Sequence, residues 1–131
     1  MDLHACCSEP VVIPARGRER VPAGIAIELP GPDVVALVFP RSGLASKHGI
    51  SLSNAVGVID SDYRGEIICL MQNERDEAFT IQPGDRIAQL GFFPVCQAVW
   101  EETAELGNTE RGSGGIGSTG VSQGPLGLKN N

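Results

Sequence analysis

Pro40-Arg41-Ser42-Gly43-Leu44-Ala45 closes an apolar run and opens onto what reads as a helical turn. A chain leaving a strand for a helix points several backbone N–H groups at one place, which suits an anion, and Arg41 adds a fixed positive charge there. A second stretch, Arg111-Gly112-Ser113-Gly114-Gly115-Ile116-Gly117-Ser118-Thr119-Gly120, combines glycines, hydroxyls and an arginine. Successive glycine N–H groups can turn toward one anion, with Arg111 and the hydroxyls as further donors. It lacks the Gly-Lys-Ser/Thr ending of a Walker A loop and does not follow a strand into a helix, so by itself it reads as linker or phosphate cradle alike. Asp60 and Tyr63 lie in a turn-rich stretch; on residue type alone, Asp60 stabilises a turn and Tyr63 is a half-buried strand aromatic. The cysteines, Cys6, Cys7, Cys69 and Cys96, have no metal-ligand spacing with each other or with His4 and His48, and read as reduced apolar residues.

Those residues must be held by a small scaffold. The chain has 131 residues, one domain by size, and 41% of them are hydrophobic but only 5% aromatic, so its core must be aliphatic. A domain this small buries a modest share of its surface, and self-association would help stabilise it. The formal net charge of −6 argues against nucleic acid or an anionic membrane as a general partner. A polyanionic small ligand remains compatible where arginines converge or a cation accompanies it. No apolar run approaches membrane-spanning length and no basic-then-apolar leader pattern opens the sequence, which implies a cytoplasmic protein.

Strand signals dominate. Short apolar or alternating runs predict strands at Val11–Ile13, Val21–Leu29, Val34–Phe39, Ile50–Ser53, Val56–Ile59, Glu66–Gln72, Ala78–Ile81, Arg86–Phe93 and Val95–Trp100. Turn residues separate them at Pro30-Gly31-Pro32-Asp33, Asp62-Tyr63-Arg64-Gly65, Asn73-Glu74-Arg75-Asp76 and Gln82-Pro83-Gly84-Asp85. Asn54 through Ile68 reads as a β-hairpin, and only Leu44–His48 looks helical. Many short strands without intervening helices predict an all-β sandwich, jelly roll or barrel. Composition shifts after Leu106, where apolar residues become sparse, so residues 107–131 are expected to form a flexible glycine-rich arm on a β domain of residues 1–106.

Taken together, Asp2-Leu3, Pro40–Ala45, Gly57-Val58-Ile59-Asp60-Ser61-Asp62-Tyr63-Arg64-Gly65-Glu66, Asp85-Arg86-Ile87-Ala88-Gln89-Leu90 and the glycine-rich tail resemble, in order and spacing, the five motifs of the trimeric dUTP diphosphatase (dUTPase) family. The resemblance covers nearly the whole sequence. It implies a jelly-roll-like homotrimer whose active sites lie between subunits, each tail crossing to another subunit's site. It implies hydrolysis of dUTP to dUMP and pyrophosphate, which keeps uracil out of DNA and supplies dUMP for thymidylate synthesis. Related dCTP deaminases share the fold family, but the hairpin and tail here follow the dUTPase wording.

Carried over residue by residue, the resemblance makes Asp60 the base that deprotonates the water attacking the α-phosphorus. Tyr63 would lie under the deoxyribose and leave no room for a 2′-hydroxyl. Asn54, Val58, Ile59 and backbone near Ile68 would read the uracil edge, rejecting cytosine because a donor would face a donor. Arg41, Ser42, Gly43 and Gln89 would hold the phosphates, with Asp2 and Arg86 in support. Arg111, Ser113, Gly114, Gly115 and Ile116 would close as a lid. Mg2+ would bridge the triphosphate through phosphate oxygens and water, with no direct protein ligand.

Two departures from the family pattern stand out. The first motif usually opens Ala-Gly-x-Asp-Leu after a further strand, whereas Met1 here holds the x position; Asp2 is therefore expected on a frayed terminus in a sheet short of one strand. Ile116 stands where the family usually has a Phe covering the uracil ring, which would reduce stacking and, with the short first motif, raises the alternative of a dUTP-binding homologue with little turnover.

Overall fold

The computed structural model describes residues 1–116; residues 117–131, including the Gly117–Gly120 end of the glycine-rich motif, lie outside the described residues. Contacts divide the chain into two units, Met1–Ala98 and Val99–Asn131.

The first unit is all-β apart from one short helix. Its strands are β1 (Asp2–His4), β2 (Val11–Ile13), β3 (Arg18–Pro22), β4 (Val34–Pro40), β5 (Ile50–Leu52), β6 (Gly57–Ile59), β7 (Ile68–Asn73), β8 (Phe79–Ile81) and β9 (Arg86–Pro94), with α1 (Ser42–His48) between β4 and β5. All pairings are antiparallel and form three sheets, ordered β1-β9-β4-β6, β3-β7-β5 and β2-β8. Alternation sets which face is buried: Ala36 and Val38 of β4, and Cys69, Met71 and Asn73 of β7, point inward. The core is aliphatic, led by Ile13, Ile50, Ile67, Met71, Ile81 and Ile87, as the scarcity of aromatics predicts. Asn73 is its buried polar residue, and its amide is satisfied by the Pro14 and Glu77 carbonyls at 3.2 and 2.7 Å.

Helix α1 is only two turns long. Gly49 ends it in the left-handed region at φ 65°, returning its N–H to the Ala45 carbonyl.

Three expectations are corrected. No strand covers residues 25–29, because Gly24 turns the chain at φ 71° directly after β3. No strand covers Val95–Trp100; β9 ends at Pro94, and Val95 is held by one backbone bond to the Asp33 carbonyl. Asn54–Ile68 is not a zipped hairpin. β6 joins the sheet of β4 while β7 lies between β3 and β5, so the two strands belong to different sheets.

The short N-terminal strand is not frayed either. Met1 donates its ammonium N–H to the Leu90 carbonyl at 2.8 Å, and Asp2 and Leu3 sit opposite Gln89 and Ala88.

In the second unit the described residues form no regular element. Gly112 donates its N–H to the Thr109 carbonyl, and the Arg111 guanidinium returns to the Gly114 carbonyl at 2.9 Å.

Candidate active site

The unzipped hairpin leaves a gap, and that gap is a cavity of about 280 Å3. Val38 and Leu52 supply its apolar lining, and β6 and Ile68 at the start of β7 flank it. β6 is the outer strand of its sheet, so one edge carries backbone N–H and C=O groups with no ladder partner. Such a row of alternating donors and acceptors can pair with the edge of a planar heterocycle. Asn54, Val58, Ile59, Asp60, Tyr63 and Ile68 all border this cavity.

Local geometry explains how each arrives. Ala55 adopts φ 61°, a left-handed conformation unusual for a residue with a β-carbon, and this sharp turn links Asn54 to β6. Gly57 packs so closely on Val38 that an added β-carbon would lie 3.2 Å from the valine's. Asp60 follows β6 with its side chain exposed, and its carbonyl accepts the Tyr63 N–H at 3.1 Å.

A second group forms around Asp2. Its carboxylate lies 3.5 Å from Arg41 Nε and 3.5 Å from an Arg86 guanidinium nitrogen, and Gln89 Nε2 donates to it at 3.5 Å. Arg41 also donates to the Arg86 carbonyl at 3.1 Å. A β-bulge makes this possible. Leu3 pairs with Ala88 but His4 with Arg86, so Ile87 is the extra residue on β9. In a regular strand, residues three apart face opposite sides; the bulge buries both Ile87 and Ala88 and leaves Arg86 and Gln89 on one exposed face. Ser42 and Gly43 begin α1 beside Arg41, with open space where a Gly43 side chain would stand.

These two groups are not together within one chain. Ile59 pairs with Ala36 near the start of β4, and Asp60 follows it, away from Arg41. Arg41 lies past the other end of β4, about 16 Å from Ala36 at ~3.3 Å per residue. Its side chain turns across β9 toward Asp2, on the side opposite β6. Arg111, Ser113, Gly114, Gly115 and Ile116 belong to the second unit, where Ile116 is fully exposed.

The cavity also borders Arg20 and Cys69, which lie outside the motifs, and Glu66, which closes one of them but was given no role. Cys69 is buried, and desolvation pushes its thiol up to about 11. Its inward position follows from the alternation of β7, a signal present in the sequence but weak over six residues.

The fold and site define an all-β, jelly-roll-like protein with a base-sized cavity bordered by the exposed carboxylates Asp60 and Glu66, and with a separate arginine pair. The family model for dUTPase matches residues 2–120, and the chain belongs to the dUTPase family. Among curated relatives, the deoxyuridine 5'-triphosphate nucleotidohydrolase of Hahella chejuensis is 48% identical over 121 residues, covering 92% of this chain and 80% of the relative. A solved dUTPase from Streptococcus mutans superposes with TM-score 0.69 at 31% identity, covering 76% of this chain and 80% of that one. The Staphylococcus bacteriophage 80alpha dUTPase with dUPNHPP superposes with TM-score 0.81 at 25% identity, covering 92% and 85% respectively.

Proposed function

We infer that this chain is a dUTP diphosphatase that hydrolyses dUTP to dUMP and pyrophosphate. The cavity that gathers Asn54, Ile59, Asp60, Tyr63 and Ile68 carries the reading, together with the family match. In the proposed reaction, Asp60 accepts a proton from a water as that water's oxygen bonds to the α-phosphorus. The bridging P–O bond between the α- and β-phosphorus breaks, and pyrophosphate leaves with its electron pair. Uracil pairs with the free edge of β6 and with Asn54, while Val58, Ile59 and Ile68 wall the ring. Tyr63 underlies the deoxyribose, where a 2′-hydroxyl would collide with it.

Arg41, Gln89 and the N–H groups of Ser42 and Gly43 bind the phosphates, with Ser42 stabilising the departing pyrophosphate. Asp2 and Arg86 orient the Arg41 and Gln89 side chains. Among the described residues no three carboxylate, imidazole or thiol groups cluster as metal ligands. That donor set fits Mg2+ held through phosphate oxygens and water, where it would neutralise charge on the triphosphate.

Because Asp60 lies near the start of β4 and Arg41 past its end, the reading has a substrate held by the phosphate-binding residues of one copy attacked from a different copy. This supports sites between subunits; the proposed assembly is a homotrimer, each chain having a β domain of residues 1–106 and an arm of residues 107–131 in which Arg111 to Ile116 close over the substrate. Among the described residues no helix is long and apolar enough to cross a membrane, and the proposed setting is the cytoplasm.

A nucleotide-panel assay with and without Mg2+ tests the reading. The expected result is pyrophosphate from dUTP in preference to dCTP, dTTP and UTP. Binding of dUTP without turnover would make the chain a nucleotide-binding homologue, and ammonia from dCTP would make it a deaminase.

A further inference from the structure

Tyr63 is held by contacts that the proposed reaction does not use. Its hydroxyl donates to the Glu66 carbonyl at 3.0 Å, and its own carbonyl accepts from Arg64 at 3.0 Å. The ring lies directly over Gly65. A β-carbon there would collide with the Tyr63 hydroxyl and stand 2.6 Å from Cζ. Gly65 is not among the glycines at positive φ, so its backbone conformation is open to any residue. Space for the tyrosine ring, not backbone freedom, is what requires glycine at this position.

The acceptor beyond it is firmly placed. The Glu66 carboxylate takes the Gly24 N–H at 2.8 Å, and Ile67 exchanges backbone bonds with Ala23 and Ile25, both at 2.9 Å. With residues 66 and 67 tied to the chain after β3, an added methyl at position 65 would displace the ring and leave the backbone in place. Tyr63 is 43% exposed and borders the cavity.

We propose that Gly65 is a positioning residue for sugar discrimination: its bare α-carbon seats the Tyr63 ring, and the Glu66 carbonyl pins the hydroxyl. The inference rests on the reading of Tyr63 as the residue that excludes a 2′-hydroxyl.

The test compares Gly65→Ala, Tyr63→Ala and the double variant in the full-length protein, reading the ratio of kcat/KM for dUTP over UTP. Gly65→Ala is expected to lower the ratio about tenfold or more, the scale of a misplaced methylene-sized contact. The double variant is expected to match Tyr63→Ala, because without the ring the added methyl meets nothing. A purely structural role for Gly65 would lower activity on both nucleotides together and add to the effect of Tyr63→Ala.

Tyr63 is the only tyrosine, so fluorotyrosine labelling gives one fluorine resonance that reports its seat without turnover. Gly65→Ala is expected to shift it. A wild-type resonance and ratio in Gly65→Ala, alongside a lowered ratio in Tyr63→Ala, overturns the proposal. An unchanged ratio in Tyr63→Ala removes the sugar reading, while the resonance still decides the seat. If Gly65→Ala does not fold, the double variant decides: recovery of the fold supports the seat, and failure to recover overturns it.

Discussion

Asp60 follows Ile59, which pairs with Ala36 near the start of strand β4, whereas Arg41 lies just past the end of that strand and its guanidinium reaches toward Asp2. Under the proposed function, the phosphate bound by one and the water activated by the other come from different copies of the chain. Co-expressing Asp60→Asn with Arg41→Ala chains should restore hydrolysis well above the residual level of either variant alone. Random assembly at equal ratio leaves about a quarter of the sites with both residues intact. Zero recovery in verified mixed oligomers would place both groups in one chain's site.

Asp60→Asn alone should retain binding of a non-hydrolysable dUTP analogue while turnover falls by about 10²–10⁴-fold, the usual cost of losing a general base. The amide cannot accept the water's proton. Calorimetry for binding and pyrophosphate release for turnover separate the two effects. Turnover within a few-fold of wild type removes Asp60 from the role.

Asp2→Ala should raise KM for dUTP by a few-fold and leave the fold intact. The three contacts to the carboxylate are each 3.5 Å and partly exposed, so each contributes little and together they mainly restrict Arg41, Arg86 and Gln89. A larger loss in thermal stability than in KM would show that Asp2 serves the sheet and not the phosphate group.

Ile116→Phe should lower KM for dUTP several-fold with kcat little changed. Stacking a base on an aromatic contributes about 1–3 kcal/mol, of which isoleucine retains only the apolar contact. Since the ring would cover the base in ground and transition states alike, the gain is uniform binding. An unchanged KM would mean that the arm does not reach the base.

Cys69 predicts an alkaline weakness. Its folded thiol ionises near 11, against an ordinary value of 9.0. Between those values the unfolded chain releases a proton that the folded chain keeps, so stability falls as pH rises, by up to about 2–3 kcal/mol. Denaturant titrations at pH 8 and pH 11 should show this loss in wild type and a smaller one in Cys69→Ala. Equal losses would assign the effect to other groups.

By itself the sequence determined the strand-rich character, the aliphatic core and the motif residues. Those follow from alternation over a few positions and from residue type, both local properties. Val11–Ile13 and Val34–Phe39 were legible because apolar runs are bounded by prolines or turn residues. Tertiary structure decided which strands pair. Asn54–Ile68 has the alternation of a hairpin, yet the inward pull of Ile67, Cys69 and Met71 commits β7 to one sheet while β4 takes β6 into another. The cavity exists only because of that separation. The bulge at Ile87 is likewise invisible locally, since only pairing with β1 shows that Arg86 and Gln89 share a face. Nor does any run of residues reveal that Gly65 is needed for the Tyr63 ring and not for a turn, because that depends on where a side chain two positions away comes to rest.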